Sequence, residues 1–101
     1  MREKEFRIWM EKSKGYHTAR TYTARCIRVE SEMKVNLDDE YNTDAGSCLI
    51  EKLKYSRAEE RAGVIPNCGI KFDDGANVYT GMHSLRASVK KYLEFCVESN
   101  K

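Results

Sequence analysis

A chain of 101 residues can build one hydrophobic core and is too short for two. Hydrophobic residues at 41% and charged residues at 34% exclude a disordered chain. A net charge of +2 gives no bulk signal of a nucleic-acid binder, and the apolar runs are too short and interrupted to cross a membrane.

The charge is polarised along the chain. Met1 to Asn36 carries nine Lys/Arg against five Glu, whereas Leu37 to Ala62 carries seven Asp/Glu against four Lys/Arg. The opening Met1-Arg2-Glu3-Lys4-Glu5 has no apolar signal core behind it, so the expectation is a soluble, unexported, cytoplasmic protein. Cys26, Cys48, Cys68 and Cys96 form no C-x-x-C pair, which argues against a zinc or redox motif. Two disulfides are formally open, but the missing signal sequence favours reduced, mostly buried thiols.

In chain order, Phe6, Trp9 and Met10 recur at helical spacing between Arg2 and Lys14, and Ser13-Lys14-Gly15 closes that first helix. Thr18 can cap a second helix whose inner stripe is Tyr22, Cys26, Val29 and Met33, with Ile27 beside it, ending near Val35-Asn36. Its outward face is expected to carry Arg20, Arg25 and Arg28. Asn36 to Thr43 reads as a loop or single turn, and Thr43 or Asp44 can cap a third helix through Leu49, Ile50 and Leu53 to Tyr55, with Gly46 in its first turn.

Ser56-Arg57-Ala58-Glu59 is a capping-box pattern and predicts a short fourth helix from Ser56 to Ala62, stopped by Gly63 and Pro66. Gly63 to Gly75 reads as a loop with a short extended piece at Ile70-Lys71-Phe72. A last helix is predicted from Asn77 to Ser99, through Met82, Leu85, Val89, Tyr92, Leu93, Cys96 and Val97, with Gly81 delaying its start to Met82 or Ser84. The fold class is therefore all-α, a compact bundle of four to five helices forming a single domain over residues 1–101, with an irregular loop before the last helix.

The helix ending Lys14-Gly15-Tyr16, a Thr-rich start with Thr18, Thr21 and Thr23, a helix through Tyr22 to Met33, and the closing Ser84-Leu85-Arg86 to Tyr92-Leu93-Glu94-Phe95 together form a pattern. It resembles the SAM-like N-terminal core-binding domain of tyrosine recombinases and phage integrases, and similar helical domains appended to restriction-type nucleases. The resemblance covers most of the chain and departs from the pattern at Val64 to Ala76. It implies a DNA-contacting domain that clamps one face of the duplex while a separate catalytic domain cleaves, the chain then being a fragment of a larger DNA-processing protein.

Lys14, His17, Thr18, Arg20, Thr21, Arg25 and Arg28 fall in a stretch with no carboxylate before Glu30. Cations and helix-start hydroxyls meet phosphate oxygens, so this stretch is the first candidate nucleic-acid contact. A second acid-free stretch, Ala76 to Leu93, holds His83, Arg86, Lys90 and Lys91, and two such stripes can straddle a backbone. The alternative for both is a solvated helix face. Weak, salt-sensitive binding of double-stranded DNA is the expectation, needing a fused catalytic domain, a protein partner or dimerisation to act.

No catalytic, metal or cofactor site is expected. His17 and His83 stand apart without a motif partner, and no G-x-S-x-G, H-E-x-x-H or P-loop occurs. Asp38-Asp39-Glu40 lacks the alternating ligands of a calcium loop and reads as a solvated acidic turn. Tyr16, Tyr22, Tyr41, Tyr55, Tyr79 and Tyr92 read as core or rim. Trp9 with Phe6 reads as core, the alternative being an exposed partner patch. The second function class is a protein-interaction or homodimerisation domain built on the acidic middle and the aromatics.

Overall fold

A computed structural model describes residues 1–66, 68–73 and 75–99. Its helices are α1 (Glu3–Lys14), α2 (Tyr16–Met33), α3 (Leu37–Asp44), α4 (Ser47–Lys52), α5 (Arg57–Arg61) and α6 (Val78–Ser99). Five of them have six residues or more, α5 is a single turn, and no strand occurs among the described residues. The bundle is all-α, as the periodicity predicts. The extended piece expected at Ile70-Lys71-Phe72 pairs with nothing as a strand.

Gly15 sets the first corner. Its φ of 85° breaks the helix within one residue, so α2 restarts at Tyr16 and Thr18 lies inside its first turn. Thr18 therefore does not cap α2, which has no side-chain cap at all. Lys34 adopts the left-handed conformation and ends α2 at Met33, short of the expected Val35-Asn36.

Asn36 then opens a helix where a loop or single turn was expected. Its side-chain oxygen accepts the backbone N–H groups of Asp38 at 2.9 Å and Asp39 at 3.1 Å. Asp38, Asp39 and Glu40 in the first turn suit the positive end of the helix, and Leu37 is buried beneath them. The acidic run is thus a helix start. Thr43 lies within α3 and donates to the Asp39 carbonyl, while the Asp44 carboxylate accepts from Gly46 and Cys48 at 3.0 Å and steadies the entry to α4. Gly46, at φ 80°, is buried against Leu93, whose methyl carbons a Cβ would overlap.

The capping box before α5 is present in full, with Glu59 N–H on Ser56 Oγ and Ser56 N–H on Glu59 Oε1. α6 is the central element, burying Met82, Leu85, Ser88, Val89, Tyr92, Phe95 and Cys96. Phe95 replaces Val97 on the inner face, and Val97 is exposed. α6 starts at Val78 without delay at Gly81: Asn77 Oδ1 accepts the Thr80 N–H at 3.0 Å at its start, and Gly81 is the seat of the Phe72 ring.

Phe6 is fully buried in an aromatic cluster with Trp9, Tyr92 and Phe95, ring centroids 5.1 to 6.1 Å away. Trp9 packs at the rim of this core, and its indole N–H donates to Glu98. Cys26 of α2 donates to the Ser88 carbonyl of α6 at 3.3 Å where the two helices cross, and burial pushes its thiol up to about 12. All four thiols are free, Cys26 and Cys96 buried, Cys68 half-buried. Cys48 is exposed, against the expectation of burial, because it sits on the outer face of α4.

Candidate nucleic-acid interface

α2 turns through about 100° per residue, so positions three, four and seven apart share a face. Buried Ala19, Thr23, Cys26 and Val29 fix the inner side, which leaves His17, Arg20, Thr21, Ala24 and Ser31 facing solvent. Lys14 is exposed at the end of α1 beside them. Arg20 and Arg25 are five residues apart, roughly 140° round the helix, and so do not share this face. Arg25 is half-buried on the flank, 5.8 Å over the Tyr22 ring, and Thr18 is half-buried in the first turn.

Arg20 extends over the Tyr16 ring at 5.4 Å and donates to its hydroxyl at 2.8 Å. Tyr16 is 54% exposed, contrary to its reading as core or rim, because the corner at Gly15 turns the first residue of α2 outward. The pairing itself was available in the sequence as an i, i+4 tyrosine and arginine. The Thr21 hydroxyl donates to the His17 carbonyl at 3.0 Å.

Arg28 is engaged elsewhere. It pairs with Glu32, donates to the Lys71 carbonyl and lies 4.9 Å over the Phe72 ring, so it ties the segment after α5 to α2. Glu32 completes the clasp by accepting the Lys71 N–H at 2.8 Å. Burial raises the Glu32 carboxyl, but the hydrogen bonds from Lys71 and Arg28 outweigh it and hold the group below the usual carboxylate range. Glu30 accepts the Leu37 N–H at 2.9 Å. Both glutamates of α2 are thereby turned away from its first three turns. Glu3 of α1 shares a shallow groove with Arg7, Arg20, Ala24 and Ile27.

On α6 the cations divide. Lys90 follows Arg86 by one turn on the same flank and is exposed, whereas Lys91 lies about 100° further round and pairs with Glu94 at 3.1 Å. Arg86 is half-buried in a pocket of about 360 Å³ walled by Lys54, Ser56, Glu59 and His83. No cavity, hydrogen bond or ion pair among the described residues joins this group to the α2 patch.

His17 packs edge-on against Tyr16, and His83 stacks on Tyr79, each a surface pair remote from the other. No group of three metal-ligating side chains converges among the described residues. Sequence reasoning missed an open apolar groove of about 550 Å³ between α5, the following segment and the start of α6. Val64 and Ile65, 44% and 82% exposed, stand at its lip, and an unpatterned run between glycines gave no periodicity to announce them. Among the described residues no helix is long and apolar enough to cross a membrane. No protein-family model matches the chain, and neither a curated protein nor a solved structure is significantly similar to it.

Proposed function

We propose that the chain is a non-catalytic DNA-binding module that docks the start of α2 against the duplex phosphate backbone and positions a separate catalytic domain. The observation that carries this reading is the solvent face of α2, where His17, Arg20 and Thr21 stand exposed after Lys14 at the end of α1, while Glu30 and Glu32 are committed elsewhere. The uncapped first turn adds unsatisfied backbone N–H groups, which favour an anion. Arg25 flanks the contact and Lys90 on α6 supplies a secondary one. Arg28 drops out, since its guanidinium is already bound within the fold. The resemblance to recombinase core-binding domains points the same way.

So few phosphate contacts give an affinity on the order of 10⁻⁴ to 10⁻⁶ M at physiological salt. The test is fluorescence anisotropy of a labelled duplex at low and near-physiological salt. Binding is expected to weaken steeply with salt and to vanish in Arg20→Glu/Arg25→Glu, with the circular dichroism of the helices unchanged. Equal affinity in wild type and double variant removes α2 from the interface.

A second reading, protein interaction or homodimerisation, is favoured by the exposed Ile65 beside the apolar groove. Exposed apolar surface at a concave site is the usual signature of a protein contact. Such association tolerates salt and is lost in Ile65→Asp, which sedimentation velocity distinguishes from the duplex reading.

A further inference from the structure

Arg86 presents an unusual chemical situation. Its Nε is buried and has no hydrogen-bond partner, and its guanidinium forms no ion pair among the described residues. A buried donor left without an acceptor is costly. Glu51 feels the Arg86 charge, but no carboxylate among the described residues hydrogen-bonds or ion-pairs with it. Glu59 accepts the Ser56 N–H in the capping box, Glu60 accepts the Tyr79 N–H at 2.9 Å, and Glu51 pairs with Lys54 at 2.8 Å. Each of these carboxylates is held by another donor, and among the described residues no acceptor bonds the Arg86 Nε–H.

We propose that the pocket between the α4–α5 connection and α6 seats a phosphate group, gripped by the Arg86 guanidinium with the Ser56 hydroxyl and the His83 imidazole beside it. Ser56 Oγ accepts the Glu59 N–H, so its own proton is free to donate outward. His83 is held in place by its stack on Tyr79. Donors on two elements approach from different directions, which suits a tetrahedral oxyanion, and the planar guanidinium fork grips two of its oxygens. The pocket, at about 360 Å³, holds such a group with a small substituent. The source is either a free phosphate ester or the phosphorylated end of a nucleic acid. This site is independent of the duplex contact on α2, and either can fail without the other.

The test is a titration of ¹⁵N-labelled protein with inorganic phosphate, against sodium chloride at matched ionic strength, following the backbone amides of Ser56 and His83 in every variant and the Arg86 Nε–H resonance wherever Arg86 is present. A saturable shift with phosphate and none with chloride is expected, in the wild type and equally in Arg20→Glu/Arg25→Glu. Arg86→Met should weaken binding about tenfold or more, the loss expected for a charge-assisted hydrogen bond. Glu59→Gln keeps the capping box and removes the one carboxylate lining the pocket, so it should tighten binding. Without phosphate, Arg86→Met should melt at or above the wild-type temperature, because an orphaned buried donor has been removed. Identical shifts with chloride, or a clear drop in the melting temperature of Arg86→Met, would overturn the proposal. A short strand carrying a 5′-phosphate that binds tighter than inorganic phosphate and than its unphosphorylated twin identifies a nucleic-acid end. Equal binding of phosphate and a phosphorylated strand identifies a free phosphate ester.

Discussion

Phe6 and Phe72 both lay a ring against the helix body, and the two are held in opposite ways. Phe6 has no exposed surface and meets the rings of Trp9, Tyr92 and Phe95, so it is held by aromatic packing against the apolar core. Phe72 is half-buried between Gly81 and the Arg28 guanidinium, and its segment is secured by hydrogen bonds from Arg28 and to Glu32. One region is fastened by volume, the other by a polar clasp and a missing methyl group. Volume resists every solvent condition that leaves water poor for hydrocarbon, whereas a clasp answers to pH and to single atoms.

The largest expected effect lies in the first region. Phe6→Ala should destabilise the protein by about 3 to 5 kcal/mol, through lost transfer energy and an incompletely collapsed cavity. Chemical denaturation followed by circular dichroism measures it. A loss comparable to that of Phe72→Ala would erase the distinction between the two regions.

The same contrast explains what the sequence allowed to be read. α1, α2 and α6 repeat apolar residues at the helical period, and burial of Phe6, Met10, Cys26, Leu85, Val89 and Tyr92 follows from that repeat. α3 escaped because its signal is a cap: Asn36 followed by three acids looks like a solvated turn unless the helix dipole is weighed against the charge run. On the candidate interface, Lys14, His17, Arg20 and Thr21 stand out in the sequence as part of a stretch without carboxylates, and all four are exposed. Arg28 was misplaced although its i,i+4 pairing with Glu32 was legible; what no local pattern reports are its contacts with Lys71 and Phe72, more than forty residues away. Arg86 was named for its charge, while its burial depends on how α6 meets the α4–α5 connection.

The clasp is tested by acid. Glu32 has a folded pKa below its unfolded one, so its contribution is fully present above the unfolded carboxylate value and is lost as pH falls through the folded value. Protection of the Lys71 amide, whose N–H donates to Glu32, measured as exchange relative to the intrinsic rate at each pH, should therefore fall below the ordinary carboxylate range, while protection in the aromatic cluster holds. Glu32→Gln should show the lower protection at neutral pH and lose the pH dependence. Because Arg28 is 39% exposed and Glu32 26%, solvent screens the pair, and the global cost should be about 1 kcal/mol. Protection at Lys71 that is unaffected by pH would mean that the segment is carried by Ile70 and Phe72 alone.

The smallest global effect is the most discriminating. Gly81→Ala lies inside α6, where alanine improves helix stability by about 0.5 to 1 kcal/mol over glycine. Its new Cβ would overlap the edge of the Phe72 ring, which must swing off the helix and off the Arg28 guanidinium. The two effects oppose each other, the first acting on the helix and the second on the segment packed against it. Global stability should change by less than about 1 kcal/mol, while exchange and proteolysis of the segment around Phe72 increase several-fold. A stabilised protein with an unaltered segment would show that the ring moves aside without releasing its neighbours, and the hold on this segment would then rest on the Arg28, Glu32 and Lys71 bonds alone.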